Sequence, residues 1–186
     1  FAYASMLTVF GLWAGPYLND VHGLDGVARG NVLLAMGLAQ IAGILVYGPL
    51  DRLFNSRKRV VVTGSLLTLT LLALLALIAG PPLWLAAALL VLHCLVTAYG
   101  IVIVAHGRSL FPDHLAGRGV TTVNLAQALG CAALPIVTGW VVGAFPVGPE
   151  GSPEIAYRAA FATIGLCLAG GLLAYSGARD SRPRGG

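Results

Sequence analysis

The chain has 186 residues, of which 58% are hydrophobic and only 10% charged. Counting the 25 glycines lifts the apolar share to about 71%, where soluble domains sit near 45–50%. This composition excludes an ordinary soluble domain, a disordered chain and a disulfide-stapled secreted scaffold, and it makes the membrane span the unit of division.

Charged residues cut the chain into uncharged runs at 1–19, 30–50, 60–107, 119–149 and 159–178. A spanning helix takes about 20 apolar residues. The third run is 48 residues long and breaks at Gly80-Pro81-Pro82, where no helix continues. Six spans follow, at about 1–18, 28–50, 60–79, 83–105, 119–145 and 157–177. The apolar runs do not alternate as barrel strands would. The expected fold is an all-α polytopic membrane helical bundle.

Charge placement orients the spans. Arg52, Arg57, Lys58, Arg59, Arg108, Arg118, Arg179, Arg182 and Arg184 fall on one side if the spans alternate. Arg29 and Arg158 fall on the other, beside Asp20, Asp25, Glu150 and Glu154. The positive-inside rule then puts both ends in the cytoplasm, with 179–186 as a disordered cytoplasmic tail. The net charge of +4 is a topology signal rather than a nucleic-acid surface. The chain opens at Phe1 inside a hydrophobic run, so a longer protein with further N-terminal spans is expected. Ten Arg against one Lys, with abundant Ala and Gly, suggest a bacterial inner membrane protein.

Span one carries Tyr3, Phe10, Trp13 and Tyr17 at spacings of 7, 3 and 4, one helical face. The stripe lines a cavity and stacks on an organic substrate, or it packs in the core. Trp13 and Tyr17 also stand where an interfacial aromatic belt belongs. Gly11 and Gly15, like Gly139 and Gly143 in span five, have the spacing of close helix contact. Gln40, near mid-span two, binds substrate or bonds a neighbouring helix. Span two leaves the membrane through Gly48-Pro49-Leu50-Asp51-Arg52, and a short turn ends in Arg57-Lys58-Arg59. The carboxylate there can cap a neighbouring helix N-terminus while the bases hold the loop inside.

His93 lies near the middle of span four, where a polar ring must face the bundle interior or water. It either couples a proton or stays neutral and bonds a neighbouring helix. Thr97, one turn on, shares its face. Pro112 ends the helix before Asp113-His114-Leu115-Ala116-Gly117-Arg118. Asn124 and Gln127 follow in the cytoplasmic part of span five, lining an inner vestibule or bonding helices together. Cys94, Cys131 and Cys167 read as small core residues. His106 and His114 make a poor metal pair, and no nucleophile elbow, zinc helix or phosphate loop is present, so neither an enzyme nor a cofactor is expected.

The segment from Gly48 to Arg59 resembles the loop motif Gly-x-x-x-Asp-Arg-x-Gly-Arg-Arg of the major facilitator superfamily, with Gly48 one residue close and the second glycine absent. Arg108-Ser109-Leu110-Phe111-Pro112, then Gly117-Arg118-Gly119, Asn124 and Gly130, resembles that family's stretch before the penultimate helix. Gly15-Pro16-Tyr17-Leu18 and Asp20-Val21-His22-Gly23-Leu24 resemble the outer turn between its seventh and eighth helices. The resemblance covers the whole chain and implies the C-terminal six-helix half of a secondary transporter. It implies two inverted three-helix repeats, with spans one and four lining the cavity. Asp51, Arg52, Arg57 and Lys58 would form the gating loop. It further implies a small-molecule solute moved by alternating access, a proton as candidate coupling ion, and a missing N-terminal six-helix half as partner in the bilayer. A six-helix channel or non-transporting membrane scaffold is the alternative; no selectivity ring or filter loop points to it.

Overall fold

A computed structural model of the chain describes residues 2–149, 151–178 and 180, with no side-chain detail at 2, 3, 51 and 113. The calls on Tyr3 and Asp51 lie outside those described side chains, and the tail is described only at Asp180. Helices α1 (Ala2–Thr8) and α2 (Ala14–Asp20) are joined by a π-helical turn, Val9–Trp13. Then come α3 (Gly26–Leu53), α4 (Arg57–Leu77), α5 (Leu83–Thr97), α6 (Gly100–Ser109), α7 (Ala116–Gly143) and α8 (Glu154–Ser176). No strand occurs among the described residues; a single bridge between Gly148 and Gly151 closes the loop before α8.

Five helices are long and apolar enough to cross a membrane, with α5 and α6 together forming one of them. The expected first span is not among these five. Its helical path from Ala2 to Asp20 is divided by the π turn, where the Ala14 N–H bonds the Val9 carbonyl five residues back. Pro16 supplies the cause: it has no N–H for the Leu12 carbonyl and its ring pushes that carbonyl away, so the preceding turn widens. Elsewhere the sequence sets the ends. Asp25 caps α3 by accepting from the Ala28 N–H at 2.7 Å, and Ser56 caps α4 by accepting from the Arg59 N–H at 3.1 Å. Asn55 turns the chain between them at φ 46°. Gly80, at φ 59°, makes the turn between α4 and α5.

Helix α3 packs along α5 and α6, α4 along α8 and α5, and α7 against α1, α6 and α8. The main core joins Tyr17, Leu18, Met36, Leu72, Leu90, Tyr157, Phe161 and Ile164. Close helix contact is made by glycines outside the two expected GxxxG pairs. A Cβ on Gly43 would strike the Leu95 carbonyl oxygen, one on Gly64 would lie 2.5 Å from the Tyr99 ring, and one on Gly107 would strike Val123. Gly11, Gly15, Gly139 and Gly143 have nothing within 4 Å of such a Cβ. The spacing is there but no helix faces it, so these pairs do not serve as packing contacts within the chain.

Candidate functional site

Three polar groupings are spread along the bundle axis. The first is central. His93 is completely buried in α5, with the backbone of Ser5 in α1 as the polar group beside its ring among the described residues. Thr97, one turn further, donates to the His93 carbonyl at 2.8 Å and faces the Gln40 side-chain oxygen of α3 at 3.5 Å. Ser5 and Thr8 of α1 are buried as well, and Thr8 returns its hydroxyl to Ala4 at 2.8 Å. Thus Gln40 and Thr97 meet across the seam between α3 and α5, one of the tightest contacts in the bundle, while His93 lies one turn back on α5 with Ser5 of α1 beside it.

The aromatic stripe of the first helix divides. Trp13 donates from Nε1 to the Thr138 hydroxyl of α7 at 2.9 Å and meets Tyr157 edge-on at 6.0 Å. Tyr17 is buried among His22, Tyr157 and Phe161 at ring distances of 5.3, 5.6 and 5.5 Å. Tyr17 is enclosed in the bundle and Trp13 is half-buried, while Trp84 and Trp140 are exposed. Phe10 instead borders a hollow of about 410 Å³ with Leu33, Leu34, Gly37, Leu38 and Ile41 of α3. Asn124 and Gln127 join none of these groups. Asn124 is exposed and Gln127 half-buried on α7, which buries only Gly119, Gly130, Leu134, Thr138 and Val142.

The second grouping closes the acidic end. The Asp20 carboxylate accepts from the Tyr157 hydroxyl at 2.5 Å, the Ser152 N–H at 2.9 Å and the Asn19 amide at 2.9 Å. Burial pushes its pKa up, but the hydrogen bonds and the nearby Arg29 outweigh it and hold the carboxyl below its ordinary 3.8. Gly151, at φ 109°, lies so close to that carboxylate that any Cβ would strike it. Burial lowers the pKa of His22 below 6.5, against the opposing pull of Glu154.

The third grouping binds α4 to α8 at both ends. At the basic end, Lys58 Nζ donates to the Ser176 and Ala178 carbonyls at 2.6 and 2.8 Å. Asp180 returns the contact by accepting from Ser56 Oγ at 2.6 Å and the Lys58 N–H at 3.1 Å. At the acidic end, Arg158 of α8 donates to the Ala76 and Leu77 carbonyls at 2.8 and 3.0 Å, and Glu154 accepts from the Gly80 N–H at 2.8 Å. Each cation sits on a helix C-terminus and each carboxylate at a helix N-terminus, the pairing the backbone dipoles favour. His106 of α6 bonds the Tyr175 hydroxyl nearby. Asp180 thus caps the N-terminus of the neighbouring α4. Of the expected gating loop, Lys58 takes part in this clamp and Arg52 stands exposed.

A family profile described as Major Facilitator Superfamily matches residues 1–185, nearly the whole chain. The chain belongs to the Major Facilitator Superfamily. No curated protein matches it. Members of the superfamily are membrane transporters, and with the membrane-crossing helices among the described residues this makes the chain an integral membrane protein of a transporter family.

As a major facilitator chain it holds features that sequence reasoning missed. Asp20, Ser152, Glu154, Tyr157, Arg158 and Asp180 read as ordinary loop charges or helix residues. The one available signal was position: each lies within a few residues of a span end, where dipoles and unpaired backbone groups attract charge.

Proposed function

We propose that the chain works as the second half of a secondary transporter that moves a small solute by alternating access, paired with another six-helix unit. The observation that carries this reading is the polar face of α7. Asn124 and Gln127 lie about 12 and 16 Å into a membrane-crossing helix, yet Asn124 is exposed, Gln127 is half-buried, and neither is hydrogen-bonded through its side chain among the described residues. An amide facing lipid would lose its hydrogen bonds at a cost of several kcal/mol. That face therefore suits a water-filled pathway or a second protein unit.

The packing supports two exchanged three-helix repeats. The first helix packs on α7, and its counterpart α5 packs on α3. Each repeat thus sets its leading span against the middle span of the other. Helices α4 and α8, the third spans, clamp each other. The basic end is the cytoplasmic one in this reading, so Lys58 and Asp180 close the inner face and Asp20 with Tyr157 the outer.

His93 is the candidate proton site, one turn from Thr97 on α5 and facing Ser5 of α1. Coupling through it requires α1 and α5 to part during the cycle, because water does not reach the buried ring. The experiment is uptake. Expressed alone, the 186 residues should insert in the membrane without accumulating solute. Concentrative uptake by the chain alone would show that it is not a half. In the paired transporter, His93→Gln should flatten the pH dependence of uptake between about 5.5 and 7.5. An unchanged profile assigns His93 to packing.

A further inference from the structure

Two helices leave the basic end in the same way. Helix α3 runs into Arg52-Leu53-Phe54 before the turn at Asn55, and α6 runs into Arg108-Ser109-Leu110-Phe111 before Pro112. In both, an exposed arginine is followed by an exposed leucine and phenylalanine. Leu53 is 76% exposed, Phe54 56%, Leu110 49% and Phe111 39%. Such side chains gain nothing from water, and Leu53, Phe54 and Leu110 stand about half exposed or more.

The two elbows emerge together. Helices α3 and α6 point the same way and touch, with Tyr47 and Tyr99 rings 6.2 Å apart near their junction. Phe111 rests against Gly119 at the start of α7, which holds the second elbow in place. Charge at this end is one-sided. Among the described residues Arg52, Arg57, Lys58, Arg59, Arg108 and Arg118 stand against Asp51, Asp113 and Asp180. Asp180 is already engaged by Ser56 and the Lys58 N–H.

A surface with apolar side chains next to arginines has one natural partner at the edge of a bilayer. Leucine and phenylalanine enter the boundary between headgroups and acyl chains. Arginine reaches phosphate oxygens with a planar, bidentate fork. An aqueous protein partner would leave the apolar residues in the wrong place, since they sit at the ends of membrane-crossing helices.

We propose that the two elbows form a docking surface for an anionic phospholipid, with Leu53, Phe54, Leu110 and Phe111 among the acyl chains and Arg52 and Arg108 on the headgroup phosphate. This needs only that the chain resides in a membrane, and holds whether or not it is half of a transporter.

The test uses the purified chain in nanodiscs of phosphatidylcholine, with and without phosphatidylglycerol. Native mass spectrometry counts retained lipids, and thermal melting reads their effect. Phosphatidylglycerol should be retained in preference to phosphatidylcholine and should raise Tm, and the preference should fall with added salt. A basic residue near an anionic surface is worth roughly fivefold, so Arg52→Gln with Arg108→Gln should cut the preference by about thirtyfold. Both arginines are exposed, so the fold should survive, as circular dichroism would check. Arg29→Gln, at the opposite end, should leave the preference unchanged. Phe54→Ser with Phe111→Ser should shorten lipid retention. Equal retention of the two lipids would overturn the proposal, as would a preference indifferent to the paired arginine change or equally reduced by Arg29→Gln. Inorganic phosphate that displaced the lipid or gave the same Tm rise would assign the surface to a soluble anion instead.

Discussion

Gly64 and Gly11 are the same residue type in the same kind of helix, yet their surroundings set opposite expectations. A methyl group on Gly64 would lie 2.5 Å from the ring of Tyr99, which is fully buried and receives a hydrogen bond from Ser65. Gly64→Ala should cost about 1–3 kcal/mol, because neither ring nor helix can retreat. Gly11→Ala meets open space and should change the melting temperature in detergent very little. Comparable melting of the two variants would mean that α4 and α6 are not packed through Gly64. Charge is read the same way at Asp20. Its carboxyl is held below 3.8, so its contribution is present above that value and is lost as pH falls through the lowered pKa. Asp20→Asn should destabilise by about 1–2 kcal/mol at neutral pH, and the gap from the parent should close in acid. Burial lowers the His22 pKa below 6.5, so it weakens the same end as pH falls, starting earlier. A gap that stayed constant to low pH would show that the Asp20 hydrogen bonds do not depend on its charge.

Helices α4 and α8 show how span ends acquire energy that span interiors lack. Both interiors are apolar on nearly every side, and a sequence of that kind gives no preferred partner. The preference comes from Lys58 on the α8 carbonyls and Arg158 on the α4 carbonyls, about 30 Å apart along the pair. Lys58→Met and Arg158→Met should each cost about 1 kcal/mol, since both cations are partly exposed and screened. At that separation the two losses should add to within about 0.5 kcal/mol in thermal melts of the double variant. A strongly non-additive result would mean that the two clamps act as one unit. The same contrast explains what the sequence made legible. Five spans could be read from uncharged runs because hydropathy alone decides membrane residence. The π turn at Val9–Trp13 could not, since it depends on one missing N–H at Pro16 competing with a continuous helical pattern. His93 and Thr97 could be placed on one face by spacing, and the contact of Thr97 with Gln40 follows from Gly43 admitting Leu95. The partner of Asp20 was hidden because Tyr157 is 137 residues away and carries no local signature.

Across the whole molecule, charge separates along the bundle axis. Among the described residues, the end that holds the α3–α4 and α6–α7 turns and Asp180 carries six basic and three acidic residues. The opposite end carries Arg29 and Arg158 against Asp20, Asp25 and Glu154. The clamps establish which segments share an end: Lys58 meets the close of α8 at one, and Arg158 meets the close of α4 at the other. A bilayer between these ends would retain the basic one in the cytoplasm. Labelling tests this directly, and the structure chooses the positions. Gly151 is unsuitable, because a side chain there would strike Asp20 at a backbone φ of 109°. Val147 is exposed in the same loop, and His114 is exposed between α6 and α7. Cys94 is buried and Cys131 and Cys167 are partly so, and all three can be replaced to give a silent background. In intact cells, an impermeant thiol reagent should modify Val147→Cys at once and His114→Cys only after the membrane is opened. The two positions lie on opposite sides of α7, a 28-residue helix about 42 Å long, which is more than one hydrocarbon thickness. Labelling of both from outside would mean that α7 does not cross the bilayer. Labelling of His114→Cys alone would reverse the orientation and place the lipid-facing elbows on the outer leaflet.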